Sequence, residues 1–408
     1  MTAGAIETTA ESGHRHGARA PGAGRAGGAG GAGGAGGFTI TANGAYAARL
    51  AGDGEALYAE RWTLDGPEPY AVPLPLTQPE EPGTPLVPLA DGRVLVARRV
   101  DGRRNAFSLL YPTGPTTGEL RLGSVDTPGS ERLVLLPPST DGSRAYAMCV
   151  GPVTTTLWQV AGGTRGPERV AEIRGHCSGG VWLDRSGRIL ALDRRLDDGP
   201  VKAVTVDLGR DGEVTPLLQI AEESDDRLLL ADPDSGLLLL GSDAPSPGRE
   251  RLGWGVLGSL LPVRFPDCLR LDDATVTPFA VQPGQVLMPE SCAVALRIDA
   301  GGGSWVGTWR PDSRHLGQLA APSGWLAGAG LWTAGRVLRL PYATPGAPCG
   351  LADLEAPPET APETDPPPAG TPAARAEAGP DGLVPGQREA YRPVPLQQAP
   401  LTDGRPAG

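Results

Sequence analysis

Side chains able to do acid–base, nucleophilic or metal chemistry are few in this chain and stand far apart. Of four histidines, His14 and His16 fall in a Gly-rich N-terminal stretch, which leaves His176 and His315 in the body. A zinc site needs three or four converging ligands, and the sequence has no His-x-x-x-His, Cys-x-x-Cys or His-Glu-x-x-His spacing. A Gly-x-Ser-x-Gly elbow and a phosphate-binding loop are missing too. The densest candidate is His176-Cys177, followed by Ser178-Gly179-Gly180. Neighbours on an extended segment point to opposite sides, so these two cannot pair with each other, and any partner must come from elsewhere in the fold. Cys268 and His315 are the residues that could join them; the alternative is a set of turn residues and small buried hydrophobes. Asp184, Asp225, Asp226, Asp272 and Asp273 could hold a hard cation such as Mg²⁺ or Ca²⁺.

Guanidinium groups offer a second chemistry. Arg98, Arg99, Arg103 and Arg104 surround Val100-Asp101-Gly102, and Arg194 and Arg195 sit in Asp193-Arg194-Arg195-Leu196-Asp197-Asp198. Guanidinium forks hold carboxylates and phosphates with paired N–H donors. An anionic ligand or an acidic protein partner is the expected match, unless the neighbouring aspartates simply balance the charge. The net charge of −11 excludes non-specific nucleic-acid binding, which needs a dense cationic surface. Lys202 is the only lysine, a bias that reads as GC-rich codon usage more than as selection.

Something must position these groups, and composition narrows what it is. With 60 Gly and 44 Pro in 408 residues, the chain suits short strands and tight turns and disfavours long helices. Residues 1–37 contain 13 Gly and residues 352–408 contain 13 Pro, and neither segment can bury enough apolar area to offset backbone ordering of ~1–2 kcal/mol per residue. Both are expected to be disordered tails, and the Gly22-x-Gly24-x-x-Gly27 pattern inside the first has no strand before it to make a dinucleotide site. Five cysteines at scattered spacings argue for reduced thiols in the cytoplasm. No apolar stretch suits a signal peptide or a membrane span.

Between the tails a turn recurs, each time a Gly followed by an apolar strand: Asp53-Gly54, Asp91-Gly92, Asp141-Gly142, Ser186-Gly187, Ser235-Gly236, Pro283-Gly284 and Ser323-Gly324. The interval of roughly 45 residues is that of a blade repeat. Within the fourth repeat, Val181-Trp182-Leu183, Ile189-Leu190-Ala191-Leu192, Ala203-Val204-Thr205-Val206 and Val214 to Ile220 read as four strands joined by hairpin-sized loops.

This rhythm resembles that of the WD40/YVTN-like superfamily, without the Gly-His and Trp-Asp dipeptides of true WD40 repeats. The resemblance implies an all-β fold, a seven-bladed β-propeller of four-stranded antiparallel blades over residues 38–351, with Phe38-Thr39-Ile40-Thr41 closing the last blade. A six-bladed ring or a pair of β-sandwiches is the competing layout. It further implies that the Arg loops, His176 and His315 open on one face at the channel mouth. The function expected is a non-enzymatic scaffold or binding module, monomeric, without cofactor or metal, that recognises a protein partner or anionic ligand there. The alternative is a propeller hydrolase or lyase resembling the lactonase and streptogramin-lyase-like enzymes, with a metal at the channel mouth.

Overall fold

The computed structural model describes residues 37–286 and 288–355, and there the chain is a β-propeller. The first blade is β1 (Thr39–Ile40), β2 (Tyr46–Ala51), β3 (Tyr58–Thr63) and β4 (Tyr70–Leu74). The second is β5 (Leu86–Pro88), β6 (Val94–Val100), β7 (Arg104–Pro112) and β8 (Thr117–Asp126). The third is β9 (Arg132–Leu135), β10 (Ala145–Val150), β11 (Thr154–Ala161) and β12 (Glu168–Arg174). A fourth comprises β13 (His176–Trp182), β14 (Ile189–Arg195), β15 (Val201–Asp207) and β16 (Glu213–Pro216). A three-stranded run follows in β17 (Asp226–Ala231), β18 (Leu237–Ser242) and β19 (Arg251–Val256). Four strands recur in β20 (Ala274–Val281), β21 (Val294–Ala300), β22 (Gly303–Trp309) and β23 (Gly317–Leu319), and three close the series: β24 (Leu331–Trp332), β25 (Val337–Thr344) and β26 (Ala347–Glu355). Among the described residues the helical elements are two 3₁₀ turns, Asp267–Leu269 and Pro289–Ser291.

Five blades are therefore four-stranded, where seven were expected. After β19 the chain passes Pro262 and Pro266, which cannot donate to a ladder, and the outer pairing shrinks to one bridge between Trp254 and Arg264. Thr39–Ile40 does not close the last blade: it pairs with β2, so the first blade is complete and the last sheet has three strands among the described residues. Strand β26 runs on to Glu355, past the boundary expected at 351. The tails expected at 1–37 and 352–408 otherwise lie outside the described residues.

The glycine turns explain the repeat physically. Gly92 and Gly142 have φ of 81° and 66°, where a Cβ is strained, and each packs on the preceding blade. A Cβ at Gly92 would stand 3.0 Å from the Tyr46 ring, and one at Gly142 would stand 2.4 Å from Ala90 Cβ. Both turns join the first and second strands of a blade. So do Gly187, Gly236 and Gly284, but Gly54 lies between β2 and β3, and Gly324 precedes β24. The equivalent end-repeat turns are at Gly44 (φ 72°) and at Gly335-Arg336, where Arg336 itself has φ 68°.

Alternation along the strands buries both faces of the sheets. Val94 and Val96 pack toward Ala48 and Ala59 of the first blade, while Leu95 packs toward Ala147 and Val160 of the third. Leu190 joins Met148 and Leu157; Ala191, its neighbour, joins Leu228 and Leu238. Further clusters join Leu237 and Leu239 to Val294 and Trp309, and Ala295 and Val306 to Leu338 and Leu340. The circuit closes where Trp62 and Leu64 meet Leu331 and Leu351. Each fully buried Leu or Val contributes about 1.5–3 kcal/mol relative to exposure.

One seam differs from the rest. Strands β15 and β17 pair in parallel at a single position, Lys202 with Asp226, which makes the fourth blade and the next run one seven-stranded sheet. Asp226 is completely buried. Its carboxylate accepts from Lys202 Nζ at 2.8 Å, from the Ser224 and Ser242 hydroxyls at 2.8 and 2.6 Å, and from the Ile220 N–H at 2.9 Å. Lys202 also donates to the carbonyls of Ala221 and Ser224. A buried charge pair persists only with its remaining hydrogen-bonding capacity filled, as it is here.

Candidate binding cleft

In an up-and-down blade the hairpin between the second and third strands and the connection onward to the next blade emerge at the same rim. The β6–β7 hairpin with its arginines, the β14–β15 hairpin with Arg194 and Arg195, and His176 at the start of β13 therefore share one face. His315 does not. It lies in the β22–β23 loop, which opens at the opposite rim; it is followed by the three-residue strand β23 and so is not in a connection between blades.

The other members of that constellation are also dispersed. Cys177 is fully buried among Leu190, Leu192 and Ile173, with its N–H on Thr155 Oγ1 at 3.1 Å, and burial pushes its thiol up to about 11. Cys268 packs against the Trp309 cluster, and burial raises its thiol as well. Among the described residues no three His, Cys, Asp or Glu side chains converge as metal ligands would. The carboxylates have local partners: Asp184 accepts the N–H groups of Ser186, Arg188 and Ile189, Asp225 accepts that of Val201, and Asp226 belongs to the Lys202 seam. Asp272 and Asp273 are exposed in the turn before β20.

The six arginines divide by what they already hold. Arg98 donates to both oxygens of buried Glu80, at 2.6 Å from Nη2, and to Glu119 at 2.8 Å, so its guanidinium is already committed. Arg104 donates to Asp126 at 2.9 Å in an exposed pair. The Arg103 carbonyl accepts from Thr127 N–H and Oγ1, tying the hairpin to the β8–β9 connection. Arg99 stands opposite Asn105, exposed, and forms no ion pair among the described residues. Arg195 pairs in register with His176, and the stem of Arg194 fills the space beside Gly175.

Arg99 lines a cleft of about 290 Å³ between the second and third blades. Pro82, Pro85, Ala97 and Leu133 contribute apolar lining, and the Asn105 amide donates to Thr127 Oγ1 at 3.2 Å. Arg132, Glu81 and Glu131 complete the charged rim. Glu131 Oε2 lies 4.0 Å from His176 Nδ1, which connects the cleft to the fourth blade. Of the residues at this cleft, sequence reasoning named Arg99, and His176 beside it, and did not name Arg132, Glu81, Glu131 or Asn105. Inspection of the blade-to-blade connections around the Arg hairpin is the signal that would have found three of them.

Asp193, at the foot of the second Arg loop, has an environment of its own. Its side chain crosses to the next run, where Oδ1 accepts the Leu228 N–H at 2.9 Å beside the bulge in β17. Its Oδ2 is buried without a hydrogen bond and lies 3.0 Å from where a Cβ on Gly179 would be. Burial pushes the carboxyl up to about 7; the Leu228 N–H and Arg227 act the other way, and Glu250 adds to the rise.

No family model and no curated protein sequence matches this chain at a significant level. Solved structures do resemble it. A prolyl endopeptidase, from a comparison of two with attention to inter-domain dynamics, aligns with a TM-score of 0.51 at 12% identity, over 78% of this chain and 47% of its own. Prolyl oligopeptidase B from Galerina marginata aligns at 0.50 and 12% identity, over 80% and 48%. An oligogalacturonate lyase from Vibrio parahaemolyticus aligns at 0.46 and 13%, over 78% and 85%. The chain spans about half the length of the two peptidases. At such identities the likeness is one of architecture, and the architecture is the β-propeller.

Proposed function

We propose that this protein is a non-enzymatic binding module whose recognition surface is the rim carrying Arg99, Arg132, Arg195 and His176. One observation carries the reading: the arginines of this rim fall into two groups. Arg98 and Arg104 are held by Glu80, Glu119 and Asp126, whereas Arg99 and Arg132 line a cleft without an ion pair among the described residues. Guanidinium groups with no partner of their own among the described residues keep their paired N–H donors open to a carboxylate or phosphate of an acidic protein segment or small anion. The same reading takes the protein to be a cytoplasmic monomer; among the described residues no helix is long and apolar enough to cross a membrane.

We also read the two three-stranded groups as the fifth and seventh blades of a seven-membered ring. Seven buried clusters support this, because each joins one group of strands to the next and the last joins the end of the series to its beginning. The WD40/YVTN-like resemblance stays with this reading, at the level of strand rhythm.

Titration of polyaspartate against the wild type and an Arg99→Ala/Arg132→Ala double variant tests the function. Binding that falls at least tenfold in the variant, and weakens steeply with salt as screened contacts must, is the expected result. Equal binding by both proteins removes the rim from consideration.

A further inference from the structure

The cleft between the second and third blades is lined by both signs of charge. Arg99 and Arg132 are accompanied by Glu81 and Glu131, and all four are exposed at its rim. Among the described residues Glu81 makes no ion pair, and the one ion-pair partner of the Glu131 carboxylate is His176, at 4.0 Å. The Glu81 carbonyl is occupied by Thr84 while its carboxylate is not. Compare Glu80, one residue earlier, which is buried and fully engaged by Arg98. The lining also includes the apolar side chains of Pro82, Pro85, Ala97 and Leu133, and Asn105, Thr127 and Ser130 supply neutral hydrogen-bonding groups.

Three properties of a ligand follow. A volume of about 290 Å³ is at the lower end of the range for small-molecule sites, ~300–1,000 Å³, so the occupant is small. A ligand with a single charge is attracted by one pair of these groups and repelled by the other, whereas one with both charges is attracted by all four. The apolar lining side chains, Ala97 and Leu133 among them, suit a short hydrocarbon body between the charged ends.

We propose that this cleft binds a small zwitterion of amino-acid or short-peptide type, its carboxylate on Arg99 and Arg132 and its ammonium between Glu81 and Glu131. The proposal rests on the reading of this rim as a recognition surface and narrows its ligand class. Free amino acids and dipeptides share the required chemistry.

Calorimetric titration of the full chain with leucyl-leucine, N-acetyl-leucyl-leucine, leucyl-leucinamide and leucine tests it. The protein panel is the wild type, Arg99→Gln and Glu81→Gln/Glu131→Gln, all exposed positions whose folding is checked by melting temperature. The wild type should bind the free dipeptide and lose at least tenfold in affinity when either end is capped. Arg99→Gln should no longer distinguish carboxylate from amide, and the double Gln variant should no longer distinguish ammonium from acetyl. If leucine binds as well as leucyl-leucine, the source is a free amino acid and the proposal stands. It is overturned if N-acetyl-leucyl-leucine binds as well as the free dipeptide, or if none of the four compounds binds at millimolar concentration. Where polyaspartate still binds through Arg99 and Arg132, only the zwitterion fails; where it does not, the wider reading fails with it.

Discussion

Asp193→Asn should make the protein more stable, by an amount that depends on pH. The carboxyl is about 2% exposed, has one hydrogen bond from the Leu228 N–H, and is held near 7 instead of near 3.8. Between those pH values the folded protein keeps a proton that the unfolded chain has released, so this group's contribution to stability declines as pH rises from about 4 to about 7 and is level above that. Fully developed, the penalty is about 4 kcal/mol. An amide at this position does not titrate and keeps the acceptor for Leu228, but it leaves an N–H₂ group facing Gly179, which costs about 1–3 kcal/mol. At pH 8 the net gain should be about 1–3 kcal/mol. Urea unfolding of both proteins at pH 5, 6, 7 and 8 reads the effect directly, provided the slopes with denaturant agree. The stability difference should grow by about 2–3 kcal/mol from pH 5 to pH 8, most of it below pH 7. Two curves that stay parallel across this range would refute the reasoning, because they would mean that Arg227 keeps Asp193 ionised in spite of its burial.

Lys202→Met strands the fully buried Asp226 with two hydroxyls and one N–H but no cation, and should destabilise by about 3–5 kcal/mol in thermal or urea unfolding. Arg98→Ala and Arg104→Ala should separate cleanly: the first abandons buried Glu80 and should cost about 2–4 kcal/mol, and the second should leave the melting temperature unchanged because its pair is exposed. Cys149, Cys177 and Cys292 are buried with thiols pushed up to about 11, so iodoacetamide at pH 8 should modify them only after unfolding; rapid labelling in the native protein would contradict the packing.

Sequence reasoning recovered the β-propeller and its four-stranded antiparallel blades, though not the number of complete blades, because alternation and glycine turns are local signals. Leu190 and Ala191 face opposite clusters, as period-2 alternation requires, and Gly92, Gly142, Gly187, Gly236 and Gly284 fall in equivalent turns. It slipped at the two ends for a physical reason. Strands β1 and β24 are two residues long and leave no periodicity, so Gly54 and Gly324 stood in for the true turns at Gly44 and Gly335. His315 was misplaced in the same way, since β23 is only three residues long and the loop before it resembles a blade-to-blade connection. At the candidate site, clustering of arginines was visible but their division was not. Arg98 is held by Glu80 from 18 residues upstream and by Glu119 from 21 residues downstream, pairings that only strand register creates. Arg132, Glu81 and Glu131 sit in or beside irregular connections, where no spacing rule applies.

The seam at Lys202 has a practical side. It is the single lysine of the whole chain, and its amine is enclosed by Ala221, Ser224 and Asp226. The ε-amine that amine-directed reagents would seek is therefore engaged, in a partly buried side chain, at the one place where β15 meets β17. Acylation of that nitrogen requires its hydrogen bonds to Ala221, Ser224 and Asp226 to break. The rate of a slow N-acylating reagent at Lys202 becomes a built-in clock for the opening of this seam, read at one peptide by mass spectrometry without introducing any label or mutation.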